Sequence, residues 1–507
     1  MGKWNVHRSE PALHALMFLL SSSMQGRPAL PSSPSSPYYG HFNGSREEQY
    51  PMLPSDETLN KYSPIPNRPR RRYLYLGCIG LAITSTLGYF ALSVSRTTPA
   101  EIVQEPGVEK AIPKVDLLDP SLYLNGPPTR SFRENLRPDA KYITSWISAG
   151  WTNDVMTYIN LIYLAKITDR IPIIPMFTPS HIGGDKPTID FGEVFDVKRL
   201  SQGTGIPVLE WNQVKNRSSD ALDELGCWNT WESVQDHEAY PRRSVVPNYL
   251  KLVIPHFEHD RHAYFWALAS LAFPEGRQEN LKPPLASPTH HVLLPPDEQL
   301  LCYDYLYYVC AHQPFEFEFD YSPAWRYVGQ YLRWTPRLEA IADSYVRRTL
   351  GTPEGSPTPP VSTSSSSDDS QPDTQKYIGI HVRHGDFKNW CGQVPIADCF
   401  ASIPILARRI DEIKTELRES RGMTVDHVIM TSDERDESWW QQVAEQGWYK
   451  VDHSGTAERY NAWYPVLIDA VIQSGGVGFL GTDRSTMSIL ARRRVQSWRN
   501  EDLDYFA

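Results

Sequence analysis

Three short stretches of the 507-residue chain carry side chains suited to gripping an anion. In Tyr377-Ile-Gly-Ile-His-Val-Arg-His-Gly-Asp-Phe387 an apolar run ends abruptly in His381, Arg383, Gly385 and Asp386. A guanidinium offers a planar fork of donors that matches phosphate oxygens and stays charged throughout the physiological range. Gly385 lets a backbone approach closely. A structural Arg–Asp pair at a strand end accounts for the same residues. In Gly481-Thr-Asp-Arg-Ser-Thr486, the hydroxyls of Thr482, Ser485 and Thr486 precede a helical pattern. Free N–H groups at a helix start attract anions, helped by the dipole, although an ordinary Ser/Thr cap has the same composition. The third stretch, Ser148-Ala-Gly-Trp-Thr-Asn-Asp154, is not GxGxxG, and Asn153 or Asp154 reads equally as a helix cap. Asp469 is placed to accept hydrogen bonds from a base or ribose, or to lie on a solvated helix face.

Those residues need strands behind them and helices after them. Lys141 to Ser148 reads as a strand, Asp154 to Asp169 as a largely apolar helix, and Ile171 to Pro175 as the next strand, which makes one βαβ unit. Pro179 to Pro323 is rich in proline and aromatics and supports only irregular α/β structure. Pro336 to Leu350 reads as an amphipathic helix with Thr335 as its N-cap. Beyond it the order is strand Lys376 to Val382, helix Ile405 to Arg418, strand His427 to Thr431, and helix Glu434 to Gln446. Strand Trp448 to Val451, helix Tyr464 to Ser474, strand Val477 to Leu480 and helix Thr486 to Val495 follow. Repeated β-then-α order implies a parallel, doubly wound sheet, whose ligands lie outside the C-terminal strand edges.

The rest of the chain sets the context. Residues 1–72 read as a disordered cytosolic tail, and Tyr73 to Val94 is 22 residues without a charged side chain. At the helical rise that run covers roughly 33 Å, enough for a bilayer. Arg68, Arg70, Arg71 and Arg72 precede it, so the positive-inside rule leaves the remainder lumenal. Residues 95–138 read as a stem, 139–350 as one domain, 351–374 as a disordered insertion of Pro, Ser and Asp, and 375–507 as a second domain. A net charge of -10 and a pI near 5.9, with no long basic run beyond Arg70-Arg71-Arg72, argue against a nucleic-acid footprint. Outside the apolar span five cysteines remain, so at least one stays free or pairs between chains; Cys302/Cys310 and Cys391/Cys399 are the expected bridges. Asn216-Arg-Ser218 is a glycosylation sequon on the lumenal side, and Asn43-Gly-Ser45 is one on the cytosolic side. His256, His259 and His262 are spaced for a helix face but lack a clear ligand geometry, and Asp502-Leu-Asp504 sits in a terminal segment.

Asn153 in its turn, His381-Val-Arg-His-Gly-Asp386, Ile468-Asp-Ala-Val-Ile472 and Phe479-Leu-Gly-Thr-Asp-Arg-Ser-Thr486 together resemble the GDP-fucose protein O-fucosyltransferase superfamily. The resemblance implies an α/β, GT-B-like architecture: two Rossmann-like domains facing a cleft, here behind a single-pass type II anchor of a Golgi or ER membrane. It implies a GDP-sugar donor, a protein or glycan acceptor, transfer with inversion, and no obligatory metal or other cofactor. By position, Arg383 would grip the diphosphate and stabilise the departing charge. His381 would contact the nucleotide or position Arg383, with Gly385 and Asp386 beside it. Asp469 would hold the guanine, Thr482, Ser485 and Thr486 would line the phosphate site, and Asn153 would face them from the other domain. Gly150, Trp151 and Thr152 replace the family's Arg or second Gly, and Met487 stands where an aromatic is common. The same motifs are compatible with another nucleotide sugar, or with a relative that binds glycans or nucleotides without catalysis.

Overall fold

The strands that carry the candidate residues are buried on both faces, the pattern of parallel sheets covered by helices. All four residues of Tyr142–Ser145 (β1) and all six of Tyr377–Val382 (β7) are buried. The structure, a computed structural model, describes residues 116–230, 244–253, 263–279, 294–313, 316–318, 322–351 and 376–499. These residues fall within one unit, Cys78–Ala507. The tail, the apolar span 73–94, nearly all of the insertion 351–374, the His256 to His262 group and Asp502 to Asp504 lie outside the described residues. Among the described residues no helix is long and apolar enough to cross a membrane.

The fold is α/β with parallel sheets. The first sheet has the order β3-β2-β1-β6, where β2 is Ile171–Ile174, β3 is Leu209–Glu210 and β6 is Leu300–Tyr303. Asp223–Glu224 (β4) and Leu252–Val253 (β5) form a separate parallel pair. The second sheet has the order β10-β7-β8-β9, with β8 His427–Ser432, β9 Tyr449–Lys450 and β10 Gly478–Gly481. Every pairing in both larger sheets is parallel. In each, the chain first steps outward (β1 to β3, β7 to β9), then returns to the far side of the starting strand through β6 or β10. That reversal creates a switch point beside β1 and another beside β7, where connections leave in opposite directions, the place at which open α/β sheets bind ligands.

Local chemistry explains the helices. Trp151–Thr168 (α1) is apolar nearly all round and buried along most of its length, as befits a helix covered on several sides. It ends where Asp169 turns left-handed. Pro336–Thr349 (α2) starts as expected, with the Thr335 hydroxyl accepting from Leu338 N–H and Pro336 in the first turn. Ile403–Arg421 (α3) stops at Gly422 in the left-handed region. Glu437–Glu445 (α4), Tyr464–Gly475 (α5) and Thr486–Arg499 (α6) complete the second half. Ile378, Ile380, Val382, Ile410, Val428 and Met430 share its core.

α6 also fastens to the first half. Trp325 Nε1 donates to Ser497 Oγ at 2.8 Å, and Trp498 Nε1 donates to Gln330 O at 3.1 Å. Arg494 lies buried 4.1 Å over the Trp334 ring, where burial pushes its guanidinium pKa down to about 9.

Three expectations are corrected. The stem, expected to run to residue 138, gives way to folded structure at Pro120–Tyr123 and Phe132–Asn135. Phe132 is fully buried edge-on to Trp211, and the Asn135 amide donates to Gln213 O and Val214 O. Prolines signal a linker, but these side chains find the first sheet's flank. Cys302 pairs with Cys227, 75 positions away, rather than with Cys310, which is buried and unpaired; Cys391–Cys399 forms as expected. Neither Asn153 nor Asp154 caps α1: the cap is Gly150, and the fully buried Asp154 carboxylate accepts from Ala149 N–H at 3.1 Å.

Candidate active site at the strand edges

Strand register assembles the site. His381 pairs with Gly481 of β10 on one side and with Thr431 of β8 on the other. The three strands therefore end level, and Arg383, Thr482 and Asp433 emerge at one edge, beside the β7/β10 switch point. Thr482 ties this edge together: its hydroxyl donates to His381 O at 3.2 Å and accepts from Arg383 N–H at 3.0 Å.

The Arg383 guanidinium stands between two carboxylates, with Nη2 2.6 Å from Asp386 Oδ1 and Nη1 3.0 Å from Asp433 Oδ2. The side chain is 30% exposed, so it is held in place yet reachable from solvent. Asp386 Oδ1 makes its close approach without hydrogen-bond alignment. Asp433 is anchored a second time, its Oδ1 accepting from His384 N–H at 2.8 Å. Gly385 is required here for space: a Cβ at this position would stand 2.2 Å from Asp433 Oδ2. Beside it, His384 Nδ1 shares a hydrogen bond with Glu434 Oε2 at 2.6 Å. The Glu434 carboxyl is held below its usual range, first by the Asp436 N–H and then by His384.

His381 points away from this mouth. It is 6% exposed, and its Nδ1 shares a 2.7 Å hydrogen bond with Ser488 Oγ, which also accepts from Thr482 N–H at 3.0 Å. Burial, reinforced by the Arg383 charge, pushes the imidazole pKa down to about 3. The ring is neutral, and its place under the edge suits positioning rather than contact with a nucleotide. Gly481 makes this arrangement possible, since a Cβ there would meet Ser488 Cβ at 2.6 Å.

The first half reaches the same place from its own switch point. Thr486 Oγ1 donates to Asn153 Oδ1 at 2.8 Å and shares a 2.7 Å hydrogen bond with Thr152 Oγ1. The first turns of α1 and α6 thus meet, each bringing free N–H groups and the positive end of a dipole. Ser485 is buried, with its N–H on Thr482 O. Trp151 has turned into the core, stacked on Phe195 and Trp334, so the unusual residue of this turn serves packing.

Asp469 is not gathered into this cluster by any described contact; its Oδ1 lies 2.8 Å from His453 Nε2. Sequence reasoning missed Asp433, Glu434, Ser488 and His453, which lie far along the chain from their partners. The Ser-Asp-Glu run closing β8 was a signal that could have exposed Asp433 and Glu434. It also missed His181, an exposed imidazole whose Nε2 lies 2.8 Å from where a Cβ on Gly150 would stand. Among the described residues no group of three or more His, Cys, Asp or Glu is arranged to hold a metal ion.

Comparison with known proteins gives this geometry its context. Residues 142–398 match the GDP-fucose protein O-fucosyltransferase family, O-FucT. Similar solved structures include POFUT1 in complex with GDP-fucose, at 14% identity over 71% of this chain and 95% of that one, with a TM-score of 0.43. They also include fucosyltransferase NodZ from Bradyrhizobium, at 12% identity over 70% and 92% of the two chains, with a TM-score of 0.33. A mutant of Arabidopsis thaliana FUT1 in complex with GDP is 13% identical over 70% of this chain and 69% of that one, with a TM-score of 0.33. No curated protein matches the chain. The family match takes in half of the sequence, from β1 past Arg383, and the chain belongs to the GDP-fucose protein O-fucosyltransferase family, a family of glycosyltransferases.

Proposed function

We propose that this protein is a type II membrane glycosyltransferase of the Golgi or ER, with its catalytic region in the lumen. It transfers fucose from GDP-fucose to a protein or glycan acceptor with inversion and needs no obligatory metal. Family membership supports the donor, and the apolar span Tyr73 to Val94 with its preceding arginines supports the topology. The observation that carries the catalytic reading is Arg383, a partly exposed guanidinium held at the level edge of three parallel strands.

In this reading the acceptor hydroxyl oxygen attacks the anomeric carbon from the face opposite the diphosphate. The bond from that carbon to the diphosphate breaks with its electron pair leaving on the diphosphate, and the hydroxyl proton passes to the departing diphosphate. Arg383 meets the negative charge that collects on the leaving group. With Asp386 and Asp433 beside it, the cluster carries one net negative charge, so a diphosphate has to displace a carboxylate. Asp386 yields, because Asp433 is anchored a second time on His384 N–H. The facing starts of α1 and α6, with Asn153 and Thr486, supply further donors. Asp469 Oδ1 is taken by His453 Nε2, which leaves Oδ2 to accept from the base of the nucleotide.

The test is GDP release from GDP-fucose by the full-length protein over a panel of protein and glycan acceptors. Arg383→Ala and Arg383→Lys should each lower turnover by at least about a hundredfold, since an ammonium cannot reproduce the fork. Near-normal turnover in either variant would overturn the assignment, and faster release from another GDP-sugar would correct the donor. The paired carboxylates favour one alternative, a relative that binds GDP without transfer; GDP binding with no release of sugar across the panel would establish it.

A further inference from the structure

The loop after the Trp211–Val214 helix carries the sequon Asn216-Arg-Ser218, and its geometry suits a function unrelated to the strand edges. Asn216 is exposed, and its side-chain oxygen accepts from Ser218 N–H at 2.9 Å and from Ser218 Oγ at 2.7 Å. This is an Asx turn in which the hydroxyl of the sequon sits on the acceptor amide. The amide nitrogen of this exposed side chain, by contrast, makes no hydrogen bond among the described residues. The intervening Arg217 pairs with Asp190, which draws its side chain aside.

The loop is also rigidly seated. Asn216 N–H donates to Thr129 O at 2.8 Å, and Ser219 Oγ donates to Arg130 O at 2.7 Å. The preceding Lys215 is buried, with Nζ on Asp223 Oδ2 at 2.8 Å, Ala221 O at 2.8 Å and Leu250 O at 2.9 Å. A glycan on Asn216 would project into solvent without disturbing any of these contacts.

We infer that Asn216 is an N-glycosylation site carrying an oligosaccharide on the folded protein. The inference rests on the lumenal placement proposed above. In the reaction, the Asn216 amide nitrogen forms a bond to the anomeric carbon of a sugar carried on a lipid diphosphate. The bond from that carbon to the diphosphate breaks, the diphosphate leaves with the electron pair, and one amide proton passes to a base of the transferring enzyme. The chain contains one other such sequence, Asn43-Gly-Ser45, on the opposite side of the apolar span, so a single glycan is expected.

The full-length protein, expressed in animal cells, should lose the mass of one glycan on treatment with an amidase that removes N-linked glycans. Asn216→Gln and Ser218→Ala should each abolish that loss, and Ser218→Thr should keep it. A reporter separates the site from the topology. Gly422 is exposed at φ 62, a left-handed conformation that Asn tolerates, with nothing within 4 Å of its would-be Cβ. Gly422→Asn completes an Asn-Met-Thr sequon ending at Thr424. A modified reporter with an unmodified Asn216 would overturn the site and leave the lumenal placement standing. Modification of neither would overturn both.

Discussion

Acidification should destabilise this fold through one histidine, and the size of the effect follows from where β7 places it. His381 is buried against Ser488, and its pKa falls from 6.5 to about 3, first because burial penalises the charged ring and then because Arg383 is close. Between those two values the unfolded chain binds a proton that the folded chain refuses, so stability is lost as pH falls below 6.5. Going from pH 7 to pH 5 crosses about 1.5 units of that window, which amounts to about 2 kcal/mol at 1.36 kcal/mol per unit. His381→Asn keeps a polar group near Ser488 Oγ but removes the titration. Urea unfolding followed by tryptophan fluorescence at pH 7, 6 and 5 compares the two proteins, and the carboxylates common to both cancel in the difference. The wild type should lose about 2 kcal/mol more than the variant between pH 7 and 5. Parallel losses in the two proteins would show that His381 is not held neutral. A charged His381 would in turn remove the reason for assigning the phosphate-binding charge to Arg383 alone.

Other consequences are equally direct. Gly385→Ala should drive the new methyl into Asp433 Oδ2, costing about 1–3 kcal/mol in stability and lowering GDP affinity in calorimetry; unchanged melting and binding would contradict the packing. A double-mutant cycle on Asn153→Ala and Thr486→Val should return a coupling of about 1 kcal/mol in thermal unfolding, and additive effects would mean that the two helix starts do not support each other. Lys215→Ala leaves the buried Asp223 carboxylate with its Ser131 and Phe132 hydrogen bonds but without its cation, so unfolding should become about 3 kcal/mol easier, with a smaller loss when Asp223 is replaced by Asn in the same protein. Burial, with the Glu316 charge second, pushes the Cys310 thiol up to about 12; mass spectrometry should find its peptide unlabelled by maleimide in the native protein and labelled after denaturation.

Much of the second half was legible because its signals are local. The Thr335-Pro336 start of α2, the βα alternation from β7 onward and the Arg383 strand end depend on residues close in sequence, and the structure reproduces each within a few positions. The Cys391–Cys399 bridge is of the same kind. The errors are non-local. Nothing near Cys302 reveals that Cys227 will lie beside it. The stem reading ended too late because Phe132 and Asn135 show their purpose only against Trp211 and the chain after it. Asp469 matched its motif by position, yet its carboxylate lies on His453, a partner supplied by the loop after β9.

By itself the sequence determined that an arginine would stand at the end of a buried parallel strand, and that two hydroxyl-rich turns would begin helices beyond other strands. Periodicity, caps and breakers are written over a few residues, so they survive without knowledge of the fold. The tertiary structure decided what those groups face. Register between β10, β7 and β8 brought Thr482 and Asp433 level with Arg383, and burial made His381 a neutral support. Packing of Trp151 into the aromatic core left Thr152 and Asn153 to meet Thr486. Charge environment and pairing depend on neighbours distant in sequence, and only the packed chain brings those neighbours together.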